Sequence, residues 1–197
     1  MIVDALRRAY PDIEIGLVAK DMDGTCLIDA PVVGCDADLP ALYAAGWRHA
    51  FVAVGSVGRT ALRVKLTHML EELGFVLPAI IDPTAIISPT ATVGAGAFVG
   101  AGAILNRGAV IGDGAIVNSG AIIEHECVLE EFVHAAPRSI LCGQVRIGAH
   151  THIGAGSVLR QGIRVGTHTL IGMGSVVTKD LPDNVVAFGN PCRIRES

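Results

Sequence analysis

Aromatic rings are scarce in this chain. Phe, Tyr and Trp together make up 4% of its 197 residues, too few to build the ring-centred core of many globular domains. Charged residues reach only 17%, with a net charge of −4. No basic stripe interleaved with aromatics is present, which argues against nucleic acid as a partner. No apolar run reaches the roughly 18 residues of a membrane span, and no cationic start leads into an apolar stretch. The cysteines, Cys26, Cys35, Cys127, Cys142 and Cys192, are odd in number and lack C-x-x-C spacing. They are expected as reduced thiols of a cytoplasmic protein with no membrane association.

What the chain has instead is a period. From Ile87 to Val177 every sixth residue is aliphatic, for sixteen consecutive positions that include Val99, Leu105, Ile123, Ala135, Leu141 and Leu159. Glycine follows the aliphatic at 94, 100, 112, 148, 154, 166 and 172, and a small residue stands two before it at most positions. A period of six fits neither a lone helix nor a half-buried strand. It fits a parallel β-helix whose aliphatic residues point to the axis and whose small residues fill the corners. With three six-residue faces per turn, the stretch makes roughly five coils ~4.8 Å apart. A narrow prism filled by Val, Ile and Leu also explains the shortage of rings.

Residues 1–82 lack the period and read as a small α/β unit. The pattern predicts a helix over Ile2–Ala9, a strand over Ile13–Lys20 and a turn at Asp21–Gly24. A helix over Asp38–Ala45, a strand over Ala50–Val54, a helix over Arg59–Leu73 and a strand over Phe75–Ile81 follow. Residues 83–197 form the solenoid with a turn-rich closing tail. The aliphatic slots weaken between about 128 and 146, where Ala135, Pro137 and Arg138 occur, and an interruption is expected there. Charge is distributed unevenly. Residues 81–137 hold one Lys/Arg against six Asp/Glu, and residues 138–197 hold seven against three. A basic end would suit a polyanionic ligand, although solvated surface charge has the same composition.

The one titratable cluster within the repeat is Glu124-His125-Glu126, with His134 nearby. A histidine flanked by carboxylates suits general base chemistry, because a carboxylate raises imidazole basicity and selects its tautomer. One coil is eighteen residues, so His125 stacks between Arg107 and Gly143. A glycine there leaves an open slot and a backbone N–H able to meet an oxyanion, and a tight loop turn would also use glycine. His134 with His152 and His150 with His168 are likewise one coil apart. Stacked imidazoles can bind metal, but no two histidines here are five residues apart, as the zinc hydratases of this shape require, and no metal is expected. The turn Gly55-Ser56-Val57-Gly58 could hold a phosphate at a helix start, or simply connect a strand to a helix.

The hexads, the run Ala121–Cys127 with His134 and Gly143, and the closing Gly189-Asn190-Pro191 resemble the sugar O/N-acetyltransferases of the left-handed β-helix superfamily. The nearest likeness is to the sialic acid O-acetyltransferase and UDP-4-amino-sugar N-acetyltransferase branch. The resemblance implies a mainly β fold, a left-handed parallel β-helix preceded by a Rossmann-like α/β domain. It also implies a homotrimer with acetyl-CoA bound between subunits. His125 would be the base and Glu126 the group that increases its basicity, with Glu124 in reserve, since adjacent strand residues point to opposite faces. His134 and Gly143 would contact the thioester end of acetyl-CoA, and Ala155 and Met173 would contact CoA through backbone. Asn118 would lie near the acceptor. In the N-terminal unit Asp21, Gly55 and Ser56 match the sugar-nucleotide turns, with Ser56 in place of the usual Asp or Asn. The family's first strand and Gly-rich turn have no counterpart, so a late start or an altered sugar site is expected.

The reading that follows is acetyl transfer from acetyl-CoA to the amine of a nucleotide-linked amino sugar, without a covalent enzyme intermediate. The alternatives are O-acetylation of a sialic acid or other sugar hydroxyl, and a catalytically silent trimeric scaffold.

Overall fold

The computed structural model describes residues 1–19 and 30–195. Asp21, and with it the acidic turn expected after the first strand, lies outside the described residues. The expected hexads are two-residue strands recurring every six residues from Ile80–Ile81 to Val176–Val177, all paired in parallel with the strand eighteen residues away. They form three faces. The first runs through Ile80–Ile81, Phe98–Val99, Ile116–Val117, His134–Ala135, His152–Ile153 and Leu170–Ile171, and Val186–Phe188 extends it. The second runs from Ile86–Ile87 through Ile122–Ile123 to Val176–Val177, and the third from Thr92–Val93 through Val128–Leu129 to Arg164–Val165. The second residue of each strand points to the axis, and Val99, Val117, Ile123, Leu129, Leu141, Ile153 and Leu159 have no exposure at all. Each such side chain contributes about 1.5–3 kcal/mol by leaving water.

The corners explain the rest of the hexad. From Val93 to Ile171, three residues after the axial aliphatic the chain takes a positive φ, at Gly96, Gly102, Gly108, Gly114 and Gly120 and again at Gly156, Gly162 and Gly174. One residue after the aliphatic, the next coil's backbone comes close. A Cβ at Gly154 would lie 2.4 Å from the Met173 nitrogen.

The expected interruption between 128 and 146 is absent. Pairing is unbroken there, with Val128 against Arg146 and His134 against His152, and Ala135 is fully buried on the axis. Pro137 is tolerated because it stands two residues after the axial position, where the N–H points out of the ladder and the imino ring removes nothing. What does change is the corner residue. Glu126, Phe132, Arg138, Gln144 and His150 hold φ between 54° and 64° at five consecutive corners, and His168 holds 52°, where most other coils have glycine. A left-handed conformation costs a non-glycine residue about 1–2 kcal/mol.

The N-terminal unit is plainer than expected. Helix α1 (Ile2–Ala9) and helix α3 (Ala61–Glu72) form as read, and α2 (Leu39–Ala44) follows a short 3-10 turn. The first expected strand shrinks to β1 (Leu17–Val18), which pairs in parallel with β2 (Val32–Gly34), a strand the pattern did not signal. Ala50–Val54 forms no strand among the described residues; beside it a bridge joins His49 to Val76, and Ala50 and Val52 pack against Leu39, Leu70 and Phe75. A cavity of about 710 Å³, lined by Gly16, Leu17, Ala50, Phe51, Leu6 and Ile80 among others, separates that segment from β1.

The unit packs along the first face of the prism. Ala5 of α1 is buried with Ile80 and Phe98, Arg8 pairs with the buried Asp82, and Gly58 faces the Leu170 side chain. Arg63 of α3, 4% exposed, donates to the Gly114 carbonyl and lies over the Phe132 ring. No helix among the described residues is long and apolar enough to cross a membrane.

Candidate active site

The corner between the second and third faces carries His125. Its ring, roughly half exposed, lies beneath Gly143 of the next coil. A Cβ on Gly143 would sit 2.3 Å from His125 Nε2 and 2.5 Å from Cε1, so only glycine leaves the ring this place. The eighteen-residue arithmetic therefore holds in space.

Glu126 stands at the same corner with its φ of 59°. That left-handed turn brings its carboxylate alongside the preceding residue instead of across the strand. Oε2 lies 3.6 Å from His125 Nδ1 and accepts a hydrogen bond of 2.8 Å from Gln144 Nε2. The Gln144 hydrogen bond, with lesser help from His125 and Arg107, holds the Glu126 carboxyl below the usual carboxylate range. An ionised carboxylate beside Nδ1 favours the tautomer protonated there, which leaves the Nε2 lone pair facing Gly143. Glu124 makes no ion pair with the ring among the described residues.

The backbone N–H two residues after each axial aliphatic points outward. At Ala95, Ser119, Ala149 and Thr167 it is taken by Asp113, Asn118, Glu130 and Asp183 at 2.7–2.9 Å. Gly143, Ala155 and Met173 occupy that same hexad position, and none of their N–H groups has an acceptor among the described residues. They form an outward set of donors, one at the His125 corner and two at the corner between the first and second faces. Met173 is 82% exposed.

A second constellation lies where the N-terminal unit meets the first face. Asn118 Oδ1 accepts from the Ser119 N–H at 2.7 Å, so its amide nitrogen is the group facing His134 Nε2 at 3.2 Å. His134 Nδ1 donates to the Ser56 carbonyl at 3.1 Å. Burial, with the Arg63 charge adding to it and the Ser56 carbonyl opposing it, pushes the His134 pKa down. His152 meets His134 edge-on at 4.8 Å and is pushed to about 4 by burial. Both rings are neutral at pH 7. Gly55, next to Ser56, is open; a Cβ on it would touch nothing within 4 Å. His150 and His168 stack at 4.5 Å, and Thr60 bonds His150 at 3.0 Å. Among the described residues no group of three or more His, Cys, Asp or Glu is placed to hold a metal ion.

The sequence-predicted residues thus fall into two groups. His125, Glu126 and Gly143 come together at one corner, and Asn118, His134 and Ser56 at another place, with Ala155 and Met173 further up the adjoining corner. The first corner lies across the prism from the face that carries the N-terminal unit. Gln144 was not anticipated, although its position one coil after Glu126 was readable. Arg63 gave no signal, since an arginine on a helix normally reads as solvated.

Residues 144–179 match the family model described as bacterial transferase hexapeptide (six repeats), and residues 90–125 match the hexapeptide repeat of succinyl-transferase. A perosamine N-acetyltransferase variant from Caulobacter crescentus, solved with CoA and GDP-perosamine, is 36% identical with a TM-score of 0.92, over 100% of this chain and 91% of that one. Structures of that enzyme include replacements of one histidine by asparagine and by alanine. The acetyltransferase domain of PglB from Neisseria gonorrhoeae FA1090, solved with acetyl coenzyme A, is 34% identical with a TM-score of 0.92, over 98% and 92% of the two chains. WeeI from Acinetobacter baumannii AYE is 26% identical with a TM-score of 0.83, over 98% and 93%. Among curated proteins no sequence matches.

Proposed function

The chain belongs to the hexapeptide-repeat sugar acetyltransferases of the left-handed β-helix fold, and on that premise we propose how it works. It transfers acetyl from acetyl-CoA to the amine of a nucleotide-linked amino sugar. The observation that carries the reading is the seat of His125 Nε2 beneath the outward N–H of Gly143, in relatives' company that binds CoA and GDP-perosamine. The sugar amine attacks the thioester carbon, forming the C–N bond. His125 Nε2 takes the amine proton, and the Gly143 N–H stabilises the tetrahedral oxyanion. The C–S bond then breaks, and the proton passes from His125 to the departing CoA thiolate. Glu126 stabilises the imidazolium formed between these steps. Ala155 and Met173 offer outward N–H donors for the amides of the pantetheine arm. The cationic upper coils, with Arg160 and Lys179 on the His125 corner, suit its phosphates.

The enzyme works as a homotrimer. His125 stands on the opposite side of the prism from the Ser56 turn that would hold the sugar nucleotide, so one copy alone cannot assemble both halves of the site. The second face supports this reading. Its outward residues Ile86, Ile104, Ile122, Ile140, Val158 and Val176 form an aliphatic ladder that solvent reaches, with Ile86 65% exposed. Covering that ladder with a second copy brings the His125 corner of one chain to the Asn118 and Ala155 corner of the next.

Thiol release from acetyl-CoA, measured with GDP-perosamine and with a UDP-linked 4-amino sugar, tests the activity. One acceptor should give rapid release that falls about 10²-fold or more in His125→Ala, with acetyl-CoA binding retained in calorimetry. Near-normal turnover in that variant would remove His125 from the mechanism.

A further inference from the structure

Glu126 is exposed, and a carboxylate on a corner has no reason of its own to stay beside the ring it serves. Something must hold it. The column of corner residues through this position reads Gly108, Glu126, Gln144 and Gly162, all four with positive φ. Glycine is the relaxed residue at such a corner, so the two middle coils carry side chains at a backbone cost that the flanking coils avoid. Those two side chains meet each other. Gln144 Nε2 donates to Glu126 Oε2 at 2.8 Å, and the same oxygen is the one 3.6 Å from His125 Nδ1.

We propose that Gln144 is a positioning residue for the acyl transfer, its side-chain amide tethering the Glu126 carboxylate from one coil above so that it stays against Nδ1 of His125. The proposal rests on His125 being the base. Gln144 touches neither reacting atom; it acts through Glu126. The charges that act on this carboxylate are His125 at its side and Arg107 one coil below. Being neutral, Gln144 can fix the carboxylate without competing with the imidazolium for its charge, which a lysine or arginine in its place would do.

Gln144→Gly is the informative variant, because it removes the tether while relieving the corner. It should melt at the same temperature or higher than the parent. Its kcat should nonetheless fall on the order of ten-fold, short of the ~10²-fold loss of the base itself. Both KM values should stay within about two-fold of the parent, since general base function rather than binding is what changes. The same substitution made in Glu126→Ala should lower kcat no further.

A Gln144→Gly enzyme with the parental kcat would overturn the proposal, and so would losses that add to those of Glu126→Ala. If His125→Ala itself retains turnover, the reading of the base has failed instead, so the two failures are distinguishable.

Discussion

Gly143 stands one coil above His125 so closely that a Cβ on it would lie 2.3 Å from the ring's Nε2. The obstructing atoms belong to a side chain that is half exposed, and this decides what a substitution does. In Gly143→Ala the ring swings out to solvent and the prism keeps its register. Turnover should fall about 10²-fold or more, the scale of losing a general base, while the melting temperature moves little. Thiol release alongside a thermal melt checks this. A large drop in melting temperature would show that the backbone had given way instead.

Ala155 shares its hexad position with Pro137, where the chain already accommodates an imino acid. Ala155→Pro should therefore leave the ladder and the thermal stability intact while deleting one outward N–H. Losing one hydrogen bond of about 1–1.5 kcal/mol weakens acetyl-CoA binding by roughly five- to ten-fold. Calorimetric titration with acetyl-CoA measures it, and unchanged affinity would take Ala155 out of the donor site.

Acid should loosen the seam between the N-terminal unit and the prism. His152 is 7% exposed and its folded-state pKa is pushed from an ordinary 6.5 to about 4. The unfolded chain binds the proton more readily, so the stability this neutral ring contributes is complete above pH ~6.5 and is lost as pH falls towards 4. The loss amounts to about 2 kcal/mol at pH 5. His134 is shifted in the same direction and adds to the slope. Denaturant unfolding at pH 7 and pH 5 should show the difference. His152→Leu, which matches the Leu170 that follows it on the same face, should flatten it.

Ile122, half-buried, lies at the centre of the aliphatic ladder on the second face. Ile122→Glu should yield a folded monomer by sedimentation, with the parental β circular dichroism spectrum, and thiol release should be abolished, as the proposed two-copy site requires. A monomeric variant of full activity would refute the shared site.

The prism was legible residue by residue. An aliphatic every six residues has one cheap solution, and its eighteen-residue repeat alone puts His125 under Gly143 and His134 under His152. The weakened stretch around Ala135 and Pro137 misled because residue type was read as a break in register. In fact Ala135 still fills the axis, and Pro137 occupies a position whose N–H the ladder never uses. The N-terminal unit was legible in its helices and poorly in its strands, because Ile13–Lys20 and Ala50–Val54 depend on sheet partners that local pattern does not specify.

By itself the sequence determined the axis, the register and the vertical stacking of the site, since a strict repeat converts chain distance into spatial distance. Only the tertiary structure decided that Glu126 and not Glu124 meets the His125 ring, because that depends on a left-handed corner which residue type argues against. It also decided that Ser56 reaches His134 across seventy-eight positions of chain, and that this contact and the His125 corner lie on opposite sides of one prism. The first follows from a local backbone turn and the others from how the N-terminal unit packs on the prism, and neither leaves a periodic trace in the chain.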